Sequence, residues 1–405
     1  MKAYKELMPE FESAVRSGQC GPFSFGAGGQ HWAGVKSELY FNDPDVNIEI
    51  SLLAAEYFGV SLSGGVGTWD LYNFEARALG AAYKMAEYGI PDIDYTNPLC
   101  KTEADLEKIK WPKENPLDCG RYPLLIRSAE LMQKYTGRPT TSFTGIVSPF
   151  TLACELFSFQ GMMRIIKKKP DFAHQIMKKV VDDVTVPLLK ALAVQFPGVV
   201  CSPGDAWDVP PNISPKIQRE FVFPYYDRIH EAIKGENVRI SWWCAYGESL
   251  VPDPAAYMEE KLKYTGIVIN MNREGLPGGF YAELARKHGR MLMSLIPNEI
   301  TTAGPPEKII EAIREIAKTQ RCGTGRFLWC GGVDSGTPLE HAETLQAAMR
   351  AFSVNPCPTP EEMDRIEVHV EHHTESFGDF CRRHAKENPN GYTFKWLDQA
   401  HFYGE

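Results

Sequence analysis

Long apolar runs are missing from this sequence: no stretch of about 18 apolar residues occurs, so no segment predicts a membrane span. The first residues, from Met1 to Glu6, lack the apolar core that a signal peptide needs. The ten cysteines are scattered, and no two of them form a Cys-x-x-Cys pair. Without a secretory signal such cysteines are typical of reduced thiols, and we therefore expect a cytoplasmic protein without membrane contacts.

An excess of positive charge is missing too. Lys and Arg number 43 against 52 Asp and Glu, which gives a net charge of −9, and the two signs are interspersed. This balance argues against a nucleic-acid-binding surface. The glycine-rich stretch 26–29 is followed directly by Gln30 and His31, and not by the Lys-Ser/Thr of a phosphate loop, so nucleotide binding is not expected. With 43% hydrophobic and 23% charged residues, the composition suits a globular chain with a full core.

What the sequence does contain is a repeated strand-then-helix pattern without hairpin signals, which predicts a parallel sheet with helical crossovers. About eight such strands favour a closed α/β fold, the (β/α)8 TIM-type barrel. We expect an N-terminal helical segment over residues 1–19, one barrel domain over residues 1–357, and a C-terminal extension over residues 358–405. The predicted helices include residues 170–192 and 214–234, and the predicted strands include residues 199–202, 266–269, 290–295 and 327–330.

Two cysteines lie where predicted strands end. Cys244 follows the apolar run that begins at Val238, and Cys330 closes the strand that begins at Phe327. Because the carboxyl ends of barrel strands meet at one rim, these two thiols can converge although they are distant in sequence. Thiolates are soft, anionic zinc ligands, so a metal site is one interpretation. The alternative is a pair of buried thiols that pack under the rim.

Acidic and aromatic residues occupy other strand exits. Asp205 and Asp70 could protonate a leaving group, or could instead cap the helices that follow them. His31, in the glycine-rich loop, is a candidate substrate contact or a surface histidine. Rim aromatics would suit an apolar or cationic small molecule, although core packing explains most tryptophans. The aromatic candidates for substrate binding are Trp69, Trp207, Trp242 and Tyr246.

The order of several segments resembles the uroporphyrinogen decarboxylase superfamily. Glu-Ala-Arg-Ala-Leu-Gly at 75–80 and the Asp-Leu-Glu-Lys-Ile connector at 105–109 are similar to family segments. So are the Gly-x-x-x-Pro-Phe-Thr-Leu-Ala turn at 145–153, the Ser-Pro to Pro-Tyr stretch at 214–226, and the closing Gly-Thr-Pro helix within 331–352. The likeness runs from about residue 20 to residue 353, and it implies a (β/α)8 barrel with its site at the carboxyl ends of the strands.

The superfamily has two branches. Porphyrinogen decarboxylases pair substrate carboxylates with an N-terminal arginine cluster, but residues 26–34 of this chain contain no arginine. The other branch comprises corrinoid-dependent methyltransferases, whose His-x-Cys and later Cys bind zinc. Cys244 and Cys330 match the two cysteine positions, whereas Trp242 stands where the family has histidine. The resemblance therefore implies zinc with a replacement third ligand, His31 or Asp205 or else Glu248 or Asp334, or a site without the metal.

We expect an enzyme, a methyltransferase that moves a methyl group between a methoxy, methylamine or thiol compound and a corrinoid. The Asp-x-His-x-x-Gly signature of a corrinoid-binding domain is absent, so the methylcobalamin-type cofactor would be carried by a separate partner protein. The resemblance also implies pairing as a homodimer. Two alternatives stay open: a decarboxylase of a small acid, with Arg77 or Arg290 as carboxylate partner, and a non-catalytic barrel that binds a corrinoid or tetrapyrrole.

Overall fold

Two four-stranded parallel sheets form the centre of the protein. The computed structural model describes residues 2–9, 23–24, 28–60, 65–66, 73–243, 247–272, 275–333, 336–354 and 356–404. The strands are β1 Phe23–Ser24, β2 Gly65–Val66, β3 Tyr83–Lys84, β4 Asp92–Ile93, β5 Ser142–Phe143, β6 Val199–Cys201, β7 Val238–Ile240, β8 Ile267–Asn270, β9 Met291–Leu295 and β10 Phe327–Gly332. Among these described strands, only β3 and β4 pair in the antiparallel sense, as a small separate hairpin.

The strand order is that of a (β/α)8 barrel. One sheet runs β2-β5-β6-β7 and the other β8-β9-β10-β1, so apart from the hairpin the strands follow chain order within each sheet, and the last strand, β10, pairs with the first, β1. The two sheets approach each other beyond β7, where the Trp242 amide donates to the Tyr264 carbonyl at 3.2 Å. The Gly266 amide also donates to Ser241 Oγ at 3.2 Å. All barrel strands therefore present their carboxyl ends on one rim, as the strand-then-helix pattern predicts.

Helices cover the outside of the sheets. Many begin with a proline in the first turn behind a side chain that caps the free backbone amides, as Asp43, Ser148, Ser214 and Asp253 do. Residues 4–9 are helical as well, and within the described residues no helix is long and apolar enough to cross a membrane. The helices are α1 Gly28–Ala33, α2 Ser37–Asn42, α3 Pro44–Phe58, α4 Phe74–Ala78, α5 Tyr122–Thr136, α6 Pro149–Phe157, α7 Phe159–Lys168, α8 Pro170–Lys179, α9 Val186–Gln195, α10 Pro215–Phe221, α11 Phe223–Ala232, α12 Pro254–Lys261, α13 Gly278–Lys287, α14 Asn298–Ala303, α15 Pro306–Ile316, α16 Leu339–Ala351, α17 Pro360–Met363 and α18 Phe377–Glu387.

Two predicted helices differ from the structure because of internal prolines. The helix expected over 170–192 continues to Gln195, with a π-helical turn at Val180–Thr185 between α8 and α9. Pro187 has no amide hydrogen to donate to the preceding turn, so the helix widens just before it. The helix expected over 214–234 is divided at Val222 into α10 and α11, because Pro224 cannot continue the hydrogen-bond ladder of α10.

The C-terminal extension, expected as an appendage, packs into the same core as α1, α3 and α16. Two carboxylates of α3 bind it. Glu49 accepts hydrogen bonds from the Thr393 and Phe394 amides and, at 3.1 Å, from Trp396 Nε1. Glu56 lies 2.6 Å from His384 Nε2, and both side chains are buried. The last residues return to α1, where the Tyr403 amide donates to the Trp32 carbonyl at 2.9 Å.

Replacing Trp396 should therefore destabilise the barrel as a whole. Its side chain is 0% exposed, so Trp396→Ala leaves a cavity and deprives Glu49 of a hydrogen-bond donor. We expect a loss of about 3–5 kcal/mol in the free energy of unfolding, measured by urea denaturation. The control is Tyr88→Ala, an aromatic residue that is 45% exposed, for which a change of about 0.5 kcal/mol or less is expected. Equal losses for the two variants would contradict this assignment.

Candidate active site

The loops that follow β5 and β6 are bound together at the rim. Val147 and Gly204 form a parallel bridge, and the Ser148 amide donates to the Gly204 carbonyl at 2.8 Å. The Gly204 amide in turn donates to the Ile146 carbonyl at 3.2 Å. These bonds extend the β5–β6 pairing past the strand ends and fix the backbone of the next residue, Asp205.

Asp205 is a buried acid with unused hydrogen-bonding capacity. Its side chain is 3% exposed, and its Oδ2 has no hydrogen-bond partner among the residues that the structure describes. Burial, reinforced by the negative charge of Asp208, raises the pKa of the Asp205 carboxyl well above its usual range, while Lys261 opposes the shift. The Asp205 carboxyl therefore holds its proton more tightly than an exposed aspartic acid does, as a proton donor must.

Asp208 is held more firmly. Tyr226 donates its hydroxyl to Asp208 Oδ2 at 2.7 Å, and the Ser148 hydroxyl, which donates to Thr151 Oγ1, lies nearby. Burial raises the pKa of Asp208 to about 6, and these neighbouring hydroxyls limit that rise. Asp208 is therefore largely ionised at neutral pH, which favours the proton on Asp205.

A buried ion pair supplies the positive charge of this region. Lys261 Nζ, at the end of α12, lies 3.3 Å from Glu248 Oε1, and both side chains are 1% exposed. Glu248 belongs to the short 3₁₀ helix Glu248–Leu250 that follows the exit of β7. Lys261 had no distinguishing signal in the sequence, because its burial depends on how α12 packs against the rim.

Glu75, on α4, is a second neutral acid that sequence reasoning did not single out. Its Oε1 accepts the Val147 amide at 2.9 Å, and its side chain is 0% exposed. Burial raises the pKa of Glu75 to about 8. The residue lies inside the Glu-Ala-Arg-Ala-Leu-Gly stretch, so the resemblance could have drawn attention to it. It connects α4 to the same rim loop that carries Ser148.

The comparison with known proteins now identifies the family. The family model of uroporphyrinogen decarboxylase (URO-D) matches residues 28–352. The chain belongs to the URO-D family.

Two relatives in this comparison are methyltransferases from Methanosarcina mazei. The chain is 25% identical, over 329 residues, to the methylated-thiol–coenzyme M methyltransferase, and the match spans 80% of this chain and 81% of the relative. A solved structure described as a methyltransferase superimposes with a TM-score of 0.65 at 16% identity, covering 87% of this chain and 100% of that one. The predicted (β/α)8 fold and the predicted likeness to the methyltransferase branch of the URO-D family are thereby confirmed.

Trp242 occupies a different environment from the one we expected for a substrate contact. Its ring is 1% exposed and stacks on Tyr226, with ring centroids 3.6 Å apart and planes 7° from parallel. Its Nε1 donates to His230 Nε2 at 3.1 Å. The indole therefore packs between β7 and α11. A substrate contact by Trp242 stays a prediction. In this URO-D member the indole supports the Tyr226 ring whose hydroxyl holds Asp208.

Trp207 remains beside the acid cluster. It lies two residues after Asp205, stacks on Phe159 at 5.0 Å and meets Tyr95 edge-on at 5.8 Å. Its amide donates to Thr151 Oγ1 at 3.3 Å, and its side chain is partly exposed. This placement is compatible with the predicted contact to a substrate at the rim.

His31 contacts the C-terminal extension. It is on α1, and its ring centroid is 4.9 Å from that of Tyr403 in the C-terminal extension. Burial lowers the pKa of His31, so the ring is neutral at physiological pH. Among the described residues, the ring contacts of His31 are with the extension and do not join it to Asp205.

The remaining predicted site residues cannot be located from the structure. Trp69, Asp70, Cys244 and Tyr246 lie outside the described residues, and of Cys330 only the backbone position is described, opposite Leu295 in the β9–β10 pairing. Within the described part of the chain, no group of three or more His, Cys, Asp or Glu side chains is arranged to hold a metal ion. The convergence of the two thiols stays a prediction.

The two arginines considered for a decarboxylase have other partners. The Arg77 guanidinium lies 3.6 Å above the centroid of the Tyr83 ring. Arg290 donates from Nη1 to the Thr265 carbonyl, before β8. Neither contact brings a guanidinium to Asp205, so the structure adds no support for carboxylate pairing by these residues.

The neutral Glu75 leads to a pH-dependent stability. The folded protein, in which its pKa is about 8, holds this proton more tightly than the unfolded chain, whose ordinary value is 4.5. The contribution of Glu75 to the free energy of unfolding is therefore complete below the ordinary pKa of 4.5. It decreases as pH rises towards about 8, by at most about 1.4 kcal/mol per pH unit.

Glu75→Gln removes that ionisation, so we expect a flatter decline in the free energy of unfolding between about pH 5 and about pH 8. Urea denaturation across this range measures the slope. The exposed Glu283→Gln is the matched control and should keep the wild-type slope. Parallel profiles for wild type and Glu75→Gln would show that Glu75 is not a buried neutral acid.

Proposed function

We propose that this protein is a methyltransferase that moves a methyl group between a small methoxy, methylamine or thiol compound and a separate corrinoid protein. Membership of the URO-D family and the likeness to a methylated-thiol–coenzyme M methyltransferase support the reaction class. The observation that carries the proposal is Asp205, a buried acid at the carboxyl end of β6 whose Oδ2 has no hydrogen-bond partner in the described residues.

A neutral Asp205 suits the proton transfer that demethylation needs. When the methyl carbon is displaced from its oxygen, nitrogen or sulfur, the electron pair of the broken bond stays on that heteroatom. Donation of the Asp205 proton converts the leaving group into an alcohol, amine or thiol and leaves a carboxylate on the protein. In the opposite direction the carboxylate accepts the proton as the heteroatom takes up the methyl group.

The surroundings of Asp205 support both protonation states. The ionised Asp208, held by Tyr226, disfavours a second negative charge and so keeps the proton on Asp205 before transfer. The positive charge of Lys261 acts in the other direction and stabilises the carboxylate after transfer. The Lys261–Glu248 pair is buried, so these charges interact in a medium of low polarity.

The corrinoid would supply the centre that accepts or donates the methyl group. This chain carries no Asp-x-His-x-x-Gly signature, which favours delivery of the corrinoid by a partner protein that docks over the barrel mouth. Trp207, partly exposed beside Asp205, is the described aromatic residue best placed to contact an aromatic or methylammonium donor.

The described residues do not complete a zinc site. A catalytic zinc needs three protein ligands, and Cys244 and Cys330, whose side chains lie outside the described residues, would supply two. At the third position, Trp242 offers no lone pair, and its N–H is bonded to His230.

The candidates for a replacement ligand have other contacts or lie outside the described residues. His31 lies against Tyr403, Glu248 pairs with Lys261, and Asp334 is not among the described residues. We assign the leaving-group chemistry to Asp205 and derive no step from a metal.

Asp205→Asn tests the proposed proton donor. The amide keeps the size of the side chain but cannot donate an acidic proton, so we expect kcat to fall by roughly 10²- to 10⁴-fold. The assay follows methyl transfer from a panel of methoxyarenes, methylamines and methylated thiols to reduced cobalamin, by absorbance. The wild-type rate should decline as pH rises through the raised pKa of Asp205, and the variant should lose that dependence.

Asp183→Asn is the matched control, since Asp183 is on the outer surface and pairs with Lys179. It should leave the rate unchanged. Full activity of Asp205→Asn would remove Asp205 from the mechanism. Release of carbon dioxide from a small acid, without any corrinoid, would replace the methyltransferase assignment with the decarboxylase.

Elemental analysis tests the assignment of the chemistry to an acid. We expect the purified protein to contain far less than one zinc per chain, with no change in Cys244→Ser, because Trp242 stands where the third ligand would be. One zinc per chain that is lost in Cys244→Ser would contradict this expectation and restore the metal site.

A further inference from the structure

Two cysteines away from the acid cluster lie close together. Cys322 Sγ and Cys357 Sγ are 3.5 Å apart. Both thiols also approach the Pro358 carbonyl oxygen, Cys322 at 3.1 Å and Cys357 at 3.5 Å. Cys322 precedes β10 by a few residues, so the pair lies at the amino-terminal end of the barrel, opposite the rim that carries Asp205.

The pair differs from the other described cysteines in its access to solvent. Cys357 is exposed and Cys322 is half-buried, whereas Cys100, Cys119, Cys154, Cys201 and Cys381 are buried. Burial, together with the hydrogen bond from Cys357, raises the pKa of Cys322 to about 12. An oxidant from solution therefore meets Cys357 first, and Cys322 is positioned to react second.

Neighbouring contacts hold the two thiols in place without a covalent bond. Arg314, on α15, donates to the carbonyls of Asp364 and Ile366 at 3.1 Å each. Lys318 Nζ lies 2.8 Å from Asp364 Oδ1, and the side chain of Met363 is 0% exposed. The start of the C-terminal extension is thus already docked on the helix that leads to Cys322, which keeps the effective concentration of one thiol near the other high.

We propose that Cys322 and Cys357 form a reversible disulfide that ties the start of the C-terminal extension to the barrel. With a disulfide oxidant such as oxidised glutathione, the Cys357 thiolate attacks one glutathione sulfur and releases the first glutathione thiolate. The Cys322 thiolate then attacks the Cys357 sulfur and releases the second. The two protein thiols lose two electrons in all, the glutathione disulfide gains them, and the two thiol protons end on the two glutathiones.

Such a bond closes a loop that contains β10 and α16. Closing a long loop restricts the unfolded chain, so the oxidised protein should be more resistant to unfolding than the reduced one. Disulfides in proteins with reduced thiols are usually transient and sense redox conditions, and an accessible pair at the surface fits that use.

The test treats the full-length protein with oxidised glutathione, followed by alkylation of free thiols and mass spectrometry. Before alkylation we expect the intact mass to fall by about two units, for two hydrogens lost, and after alkylation a digest should contain the peptide that joins positions 322 and 357. Dithiothreitol should reverse both changes. The buried Cys154 and Cys201 should carry no glutathione in the same digest. Thermal unfolding should have a higher midpoint in the oxidised sample.

Two serine variants separate the steps. Cys322→Ser should stop at the mixed disulfide between Cys357 and glutathione, and Cys357→Ser should give neither adduct nor cross-link. Circular dichroism checks that each variant is folded. A wild-type protein that retains both thiols, or that accumulates the glutathione adduct without the cross-link, would overturn the proposal. None of these measurements depends on methyl transfer, so they stand apart from the test of Asp205.

Discussion

Burying carboxyl groups at the end of a parallel sheet is the constraint on which this structure depends. A carboxylate removed from water needs hydrogen-bond donors or a positive charge, or else it keeps its proton. The rim uses each of these solutions. Tyr226 supports an ionised Asp208, Lys261 compensates Glu248, and burial raises the pKa of Asp205 and of Glu75 so that both favour the protonated form. Neutral and charged acids thus coexist within one small region, which is the condition for moving a proton there.

Buried carboxylates also determine how the C-terminal extension packs on the other side of the core. Glu49 of α3 receives three donors from the C-terminal extension, and Glu56 receives His384. These bonds satisfy buried carboxylates that the barrel alone would leave without partners. The extension is for this reason part of the barrel core, and it also reaches α1, the helix that follows β1.

The sequence predicted the features that follow from periodicity. Alternation of strands and helices gave the parallel barrel, and strand exits located Asp205 and Trp207. Burial of Lys261 and Glu75 was not predictable, because it depends on packing between helices distant in sequence. The orientation of Trp242 was predictable from the sequence. Val238, Ile240 and Trp242 alternate along an extended segment and therefore share one face, which packs against the helices. The docking of the C-terminal extension was not predictable, because the aromatic residues that dock it have no regular spacing.

The stacked pair of Trp242 and Tyr226 links three positions of the rim by direct contact. The indole fixes the phenol ring, and the phenol hydroxyl holds Asp208. A smaller side chain at position 242 would remove the surface on which the phenol rests, so the hydroxyl would no longer be directed at the carboxylate. Positions 242, 226 and 208 are therefore interdependent, and a substitution at position 242 changes the environment of Asp208 without contacting it.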